Sequence, residues 1–274
     1  MTKDNLGNRM KTYYEEVPNL KLTRKTPVAL RLDGKAFHTL TRNFKKPYDE
    51  VFHKAMNSTM KYLCENVQGC VFGYTQSDEI TLILVDYQTP ETSAWFDYKV
   101  QKLCSIAASM TTMAFNRFFG DEASEEFESW SEEKLPNGEP NPNFRNKELK
   151  ELVQVHNDAL GKGAMFDARC FNLPKEEVGN LILWRQMDAT RNSIQMLGRC
   201  HFSCKELQNK NCTQIKEMLL EKGVDWDKEK NSFKWGTACY KVKGEPHDKW
   251  FIDENMPVLK EDWEFINKWV FMKD

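Results

Sequence analysis

The sequence predicts an α+β fold, and three observations support this prediction. Short apolar segments of strand length alternate with longer segments in which apolar residues recur every three or four positions. In the first part of the chain these segments follow the order strand, helix, strand, strand, helix, strand, which is the βαββαβ order of the ferredoxin-like fold. The chain has 274 residues, 40% of them hydrophobic, so it is long enough for one large domain with an appended lobe.

Each predicted element has a local signal. The first strand, residues 27–32, stops at Asp33, and Pro47 precedes a helix that extends to about position 66. The next two strands are joined by a tight turn at Ser77-Asp78, because both side chains bond readily to nearby backbone. The remaining predictions are strands at 71–76, 79–85 and 165–171, helices at 92–119, 147–160 and 176–197, and a polar loop at 120–145.

The composition limits the class of protein. No apolar run approaches the roughly 18 residues of a membrane-spanning helix, and the N-terminal residues lack the apolar core of a secretory signal. The eight cysteines have no framework spacing, which favours reduced thiols. We therefore expect a cytoplasmic protein with no membrane partner.

The net charge of −2 conceals a strong local polarity. One segment is basic and contains a single acidic residue, Asp33, whereas residues 121–133 are strongly acidic. A solvated charged surface and a phosphate-binding surface both explain such a basic segment. Its basic residues are Lys21, Arg24, Lys25, Arg31, Lys35, Arg42, Lys45 and Lys46.

The predicted topology brings acidic residues together. In the ferredoxin-like order the first and third strands are neighbours, so Asp33 at the end of the first strand lies beside Asp78 and Glu79 in the following hairpin. Carboxylates that converge in this way repel one another unless a cation lies between them. A small set of oxygen ligands suits Mg²⁺, which shares its remaining sites with water and phosphate. Most carboxylates at strand ends only form turns or cap helices, so a purely structural role and a phosphoryl-transfer site that uses Mg²⁺ both stay open at this point.

Five ordered motifs identify a family resemblance. RLDGKAFH at 31–38, FKKP at 44–47, GYTQSDE at 73–79, FDAR at 166–169 and WRQMD at 184–188 resemble the tRNA-His guanylyltransferase family and its bacterial and archaeal relatives. The resemblance extends from about residue 31 to residue 192, and more loosely to 234–237. It implies a polymerase-palm core within residues 1–220 that includes RNA-binding helices. Residues 221–274 are expected to be a mixed C-terminal extension packed on this core.

The resemblance also implies roles for individual residues. Asp33 and Asp78, with the carbonyl oxygen of Gly34, would bind two Mg²⁺ ions, and Glu79 would complete the catalytic carboxylates. Family members activate the 5′-monophosphate of the RNA with ATP, and the 3′-hydroxyl of an incoming nucleotide then attacks that end. The residues that would bind ATP, GTP or another nucleoside triphosphate are Gly34, Lys35, Ala36, Phe37, His38, Lys46, Asp49 and Ser77.

The RNA-binding residues implied by the resemblance are Arg169, Arg185 and Asn192, although Arg185 could instead pair with Asp188 three residues later. Eukaryotic members carry His-Ile-Asn-Asn after the last motif, whereas this chain has Thr-Arg-Asn-Ser at 190–193. The missing histidine favours the guanylyltransferase-like relatives, which repair 5′-truncated tRNA by templated addition. The family also implies a homotetramer built from dimers, and Phe115, Phe118 and Phe119 are candidates for packing against another subunit.

Three alternatives remain open at this point. The first is untemplated guanylate addition to histidine tRNA. The second is a nucleotidyl cyclase, which would use the same two carboxylates but leave the fifth motif without a role. The third is a non-catalytic tRNA-binding protein, in which the acidic residues would be vestigial.

Overall fold

In the computed structural model, the chain is organised around one antiparallel sheet with the strand order β4-β1-β3-β2-β5-β6. The structure describes residues 5–131, 139, 146–244 and 247–271. The strands are Val28–Gly34 (β1), Cys70–Gln76 (β2), Glu79–Leu84 (β3), Phe166–Asn172 (β4), Thr237–Val242 (β5) and Lys249–Asp253 (β6).

The α-helices of the described residues are Asn5–Met10 (α1), Phe37–Leu40 (α2), Glu50–Asn66 (α3), Val100–Ser131 (α4), Lys147–Lys162 (α5), Lys175–His201 (α6), Cys204–Leu207 (α7), Cys212–Glu221 (α8), Asn231–Trp235 (α9) and Asn267–Val270 (α10). A π-helical segment follows α1 at Lys11–Glu15, and short 3₁₀ turns lie at Trp95–Tyr98, Trp226–Lys228 and Trp263–Phe265. Within these described ranges, no helix has both the length and the apolar character needed to cross a membrane.

The predicted βαββαβ order is confirmed. Strand β1 lies between β3 and β4 and pairs antiparallel with both, as the ferredoxin-like arrangement requires. The C-terminal strands β5 and β6 then extend the same sheet, because β5 pairs with β2.

Each face of the sheet is covered by helices. Leu30 and Leu32 of β1 point to the side covered by α3 and α4, whereas Ala29 points to the side covered by α6 and the C-terminal residues. This alternation follows from the two-residue period of a strand. On the first side, Phe115 and Phe119 are buried inside the protomer core and stack on each other. They are therefore not available for packing against another subunit. For these two residues the prediction of a subunit contact was wrong.

The prediction of a helix at 92–119 was wrong at both ends. The backbone of Phe96, Asp97 and Tyr98 is left-handed, with φ of 49°, 53° and 53°, so α4 begins only at Val100. The helix then continues to Ser131, through part of the acidic stretch predicted as a loop. Glutamate and alanine favour helix, and no proline interrupts this stretch before position 136. Residues 132–138 and 140–145 of the predicted loop lie outside the described residues.

Candidate active site

The sheet register aligns acidic residues from three adjacent strands. Asp33 on β1 is directly opposite Glu79 on β3 and Asp167 on β4. Directly opposite residues of an antiparallel pair share one face of the sheet, so these carboxyl groups lie in a row. The β2–β3 turn is fixed against the end of β1, because the amide of Gly34 donates to the carbonyl oxygen of Asp78 at 3.1 Å. The predicted convergence of Asp33, Asp78 and Glu79 is confirmed.

Glu79 already has cationic partners within the protein. Its Oε2 lies 3.3 Å from a terminal guanidinium nitrogen of Arg31 and 3.3 Å from Nε of Arg185. The amide of Gln76 also donates to this oxygen at 3.3 Å. Both arginine side chains are largely shielded from solvent, at 13% and 5% exposure. The negative charge of Glu79 is therefore neutralised internally.

Trp184 supports this pair of arginines, a role that sequence reasoning missed. Its ring centroid lies 5.2 Å from the guanidinium carbon of Arg31 and 4.1 Å from that of Arg185. Cation–π contacts of this kind restrain the guanidinium groups. A tryptophan beside an arginine on a helix gives no signal that a second arginine from a distant strand will pack on it.

Asp78 is in the opposite electrostatic situation. It is not part of an ion pair among the described residues. The one described side chain that donates a hydrogen bond to it is Ser77, whose hydroxyl lies 3.1 Å from Oδ1. Burial, with smaller contributions from Asp33 and Glu79, raises the pKa of Asp78 to about 6. Ser77 holds the turn with a left-handed backbone, at φ 50°. This carboxylate is the one that a bound cation would stabilise.

Asp33 is the more accessible of the two. Its side chain is 37% exposed, and Arg169 lies 3.7 Å away while also pairing with Asp167 at 3.2 Å. The guanidinium group of Arg169 is itself exposed, so it is placed at the rim of the site where a phosphate could reach it. Its predicted contact with RNA stays a prediction.

The loop after β1 presents its backbone to the same edge. A side chain at Gly34 would come within 2.3 Å of the ring of Phe37, so glycine is required there. Ala36 is left-handed at φ 57°, and Phe37 is buried in the core, so Phe37 can contact a nucleotide only through its backbone. Lys35 and His38 have exposed side chains. Their nucleotide contacts, like that of Ala36, stay predictions.

A cavity next to this edge of the sheet is lined by residues that are distant in sequence. Lys46, Ser77 and Asn192 line it, together with Tyr48 and Phe233, whose rings stack at 4.3 Å. Lys46 donates to the carbonyl oxygen of Thr41 at 3.1 Å and is otherwise exposed. Asp49 also lines this cavity.

Two of the predicted binding residues have internal partners. Asp49 is buried and accepts hydrogen bonds from the amides of Lys45 and Phe52, both at 3.0 Å, which makes it the N-cap of α3. Arg185 is buried and pairs with Asp188 at 2.7 Å, which confirms the alternative that the sequence left open. The burial of Arg185 argues against its predicted RNA contact, because a phosphate cannot reach this guanidinium group.

The carboxylates do not form a ready-made metal cage. Among the described residues, no group of three or more His, Cys, Asp or Glu side chains is arranged to hold a metal ion. Mg²⁺, however, is commonly bound by one or two carboxylates together with substrate phosphates. Asp33, Asp78 and the carbonyl oxygen of Gly34 are the groups that could provide such a partial set.

Comparison with known proteins decides the family. A sequence model described as Thg1, tRNAHis guanylyltransferase, matches residues 7–174, which is more than half of the chain. The chain therefore belongs to the tRNAHis guanylyltransferase family. An uncharacterised protein of Acanthamoeba polyphaga mimivirus, R259, is 31% identical over 227 residues, covering 79% of this chain and 70% of the viral protein. The tRNA(His) guanylyltransferase of Eremothecium gossypii is 24% identical over 243 residues, covering 82% and 86%.

Solved structures of family members agree with the fold. A bacterial Thg1-like protein in complex with ATP has a TM-score of 0.78 and 31% identity, covering 98% of this chain and 100% of that one. The complex with GTP gives a TM-score of 0.76 and 30% identity over the same shares. The guanylyltransferase of Saccharomyces cerevisiae, at a TM-score of 0.61 and 19% identity, covers 92% and 98% and supports the fold alone.

Proposed function

We propose that this family member is a template-dependent 3′–5′ nucleotidyltransferase that adds nucleotides to the 5′ end of truncated tRNA. The observation that carries the proposal is the convergence of Asp33 and Asp78 at the sheet edge, beside the cavity lined by Lys46 and Asn192. The likeness to a bacterial relative bound to ATP and to GTP supports nucleoside triphosphates as its substrates.

The residues present fit a magnesium site. The half-buried carboxyl group of Asp78, with its raised pKa, forms no ion pair among the described side chains, and Asp33 lies on the adjoining strand end. We infer that Asp33, Asp78 and the carbonyl oxygen of Gly34 would hold two Mg²⁺ ions together with substrate phosphates. When bound, such ions favour ionisation of an attacking hydroxyl group and neutralise the departing phosphate.

The side chains then act mainly by positioning. The 5′-phosphate of the RNA would bond to the α-phosphorus of ATP and release pyrophosphate. The 3′-hydroxyl of the incoming nucleotide would then bond to the 5′-phosphorus and release AMP. Neither step needs a side-chain nucleophile, because phosphoryl transfer depends on alignment and charge neutralisation. Lys46 and the exposed Lys35 would neutralise the triphosphate, and the backbone of 36–38 would orient its oxygens.

The replacement of His-Ile-Asn-Asn by residues 190–193 supports templated addition. The hydroxyl of Thr190 donates to the carbonyl oxygen of Gln186 at 2.9 Å, and Ser193 accepts from the indole of Trp226 at 3.1 Å. Of this segment, Arg191 and Asn192 are exposed. With no histidine to select one tRNA, base pairing would choose the nucleotide, and the protein would recognise tRNA by its shape.

The homotetramer and the cytoplasmic location implied at the sequence level stay predictions. Light scattering coupled to size-exclusion chromatography would measure the mass of the assembly directly. A mass near four times 32.2 kDa would support the tetramer, whereas a mass near 32.2 kDa would contradict it.

A 5′-end extension assay tests the proposed function. The substrate would be a tRNA that lacks its first nucleotide and carries a 5′-monophosphate, supplied with ATP, Mg²⁺ and each nucleoside triphosphate in turn. We expect addition of only the nucleotide complementary to the 3′ side of the acceptor stem. Guanylate addition whatever the opposing base would favour the untemplated reaction. A cyclic nucleotide formed without RNA would favour a cyclase.

A further inference from the structure

His156 is a buried titratable residue that the proposed reaction does not use. It lies on α5 and is 3% exposed. Its Nε2 lies 3.0 Å from Oδ2 of Asp49, which is 107 residues away in sequence. The rings of Phe44 and Phe119 meet the imidazole edge-on at centroid distances of 5.2 and 5.5 Å. Since an unpaired imidazole would be costly to bury, the contact with Asp49 is what stabilises His156 in this position.

The carboxylate of Asp49 bonds to the backbone on both sides of Lys46. Its Oδ2 accepts from the amide of Lys45, and its Oδ1 accepts from the amide of Phe52, so one carboxylate joins the start of the segment to the first turn of α3. Lys46 lies between these anchors and lines the cavity. The position of the Lys46 side chain therefore depends on the orientation of the Asp49 carboxylate.

The charge state of Asp49 determines whether His156 donates or accepts the hydrogen bond between them. Burial acts to raise the pKa of Asp49, but the hydrogen bond and charge of His156 and the two amides outweigh it and hold the pKa below its ordinary value. An ionised carboxylate only accepts hydrogen bonds, so Nε2 of His156 carries the hydrogen in this contact. Three donors already occupy most of the acceptor sites of this buried group.

We propose that His156 is a positioning residue for nucleotide binding. It orients Asp49, and Asp49 in turn holds the 45–48 segment so that Lys46 faces the triphosphate. This inference rests on the proposed function, which assigns the triphosphate to Lys46. In this arrangement Asp49 supports the position of Lys46 and does not itself contact the nucleotide.

Two substitutions separate the hydrogen bond from the volume of the ring. His156→Leu fills the space without a donor, whereas His156→Gln places an amide N–H near the position of Nε2. We expect His156→Leu to weaken binding of a fluorescent GTP analogue and to raise the KM for GTP about tenfold, as loss of one hydrogen bond to a charged group implies. The kcat and the KM for RNA should change less than about threefold, and His156→Gln should restore most of the GTP affinity.

Two controls exclude a merely structural effect. Ala159→Gly removes a buried methyl group from the same helix without touching Asp49, so it should lower the melting temperature and leave GTP affinity unchanged. In a Lys46→Ala background, His156→Leu should add almost nothing to the loss of affinity, because both changes act through the same contact.

The outcomes distinguish this inference from the proposed function. Wild-type protein that binds GTP, with His156→Leu binding it equally well, overturns the inference alone. Equal losses for His156→Leu and for a comparably destabilised Ala159→Gly also overturn it. Wild-type protein that binds no nucleotide overturns the proposed function and, with it, this inference.

Discussion

Two successive residues of the β2–β3 hairpin, Asp78 and Glu79, experience opposite electrostatic environments. Glu79 lies between Arg31 and Arg185, each at 3.3 Å, and its charge is neutralised by the protein itself. Asp78 is half-buried beside Asp33 without a basic partner among the described residues, and desolvation raises its pKa to about 6. We therefore expect Glu79 to stabilise the fold and Asp78 to need a cation from outside the chain.

The largest effect is expected on catalysis. Asp78→Asn and Asp33→Asn should each lower the rate of 5′-end extension by at least about 10²–10³-fold, because each removes a charge that holds the reacting phosphates. Single-turnover extension measures this loss. Asp167→Asn is a matched control, since Asp167 is exposed in the same row and has no assigned role. If activity survives in both Asp33 and Asp78 variants, the proposed site is wrong.

The next largest effect is on stability. Arg185→Met should destabilise the fold by about 3 kcal/mol, because it removes the more buried of the two arginines that pair with each of Glu79 and Asp188. Urea unfolding at pH 7.5 measures this cost. Arg169→Met, which breaks only exposed pairs, should cost less than about 1 kcal/mol. Equal costs for the two variants would contradict the internal neutralisation of Glu79.

A smaller effect follows from the pKa of Asp78. Because burial raises this pKa above the ordinary value of 3.8, the contribution of Asp78 to stability is present below pH 3.8 and is lost as the pH rises through about 6. Metal-free Asp78→Asn should therefore gain about 2–3 kcal/mol over the wild type between pH 4 and pH 7.5. Thermal unfolding in the presence of a chelator, compared at the two pH values, measures the gain. A stability difference that does not change with pH would contradict it.

The smallest effect concerns the exposed ion pairs. Lys21→Ala removes a pair with Asp97 in which both side chains are about half exposed, so the free energy of unfolding should stay essentially unchanged. RNA affinity should also be unchanged, since Lys21 is occupied by Asp97. Lys35→Ala, beside the carboxylates, should instead weaken RNA or nucleotide binding and reduce its salt dependence. Fluorescence anisotropy at two salt concentrations compares the two variants.

The sequence predicted the topology and the convergence of the carboxylates, because both follow from strand order. It could not predict which residues of the basic segment, 21–46, pair with distant acidic residues. Lys21, Arg24, Lys25 and Arg31 bind Asp97, Asp86 and Glu79, which are 48–76 residues away. The later members, Lys35, Arg42, Lys45 and Lys46, have exposed side chains and lie outside these long-range pairs. Pairing over such separations depends on tertiary packing, which local patterns do not encode.

Two residues near the site had no detectable signal. His156 lies within a predicted helix, where a lone histidine does not indicate the loop that it will contact. Trp184 belongs to one of the five motifs, yet its packing on Arg31 depends on how α6 crosses the sheet. Conversely, the family resemblance left open whether Arg185 contacts RNA or pairs with Asp188, and the burial of Arg185 depends on how α6 packs on the sheet.

The most direct test of the central contrast is an electron paramagnetic resonance titration of Mn²⁺, a spectroscopic substitute for Mg²⁺, in the presence of GTP. We compare the wild type with Asp78→Asn and Glu79→Gln, using only variants that circular dichroism shows to be folded. We expect Asp78→Asn to lose tight Mn²⁺ binding and Glu79→Gln to retain it. Retention by Asp78→Asn together with loss by Glu79→Gln would contradict the assignment of the two carboxylates.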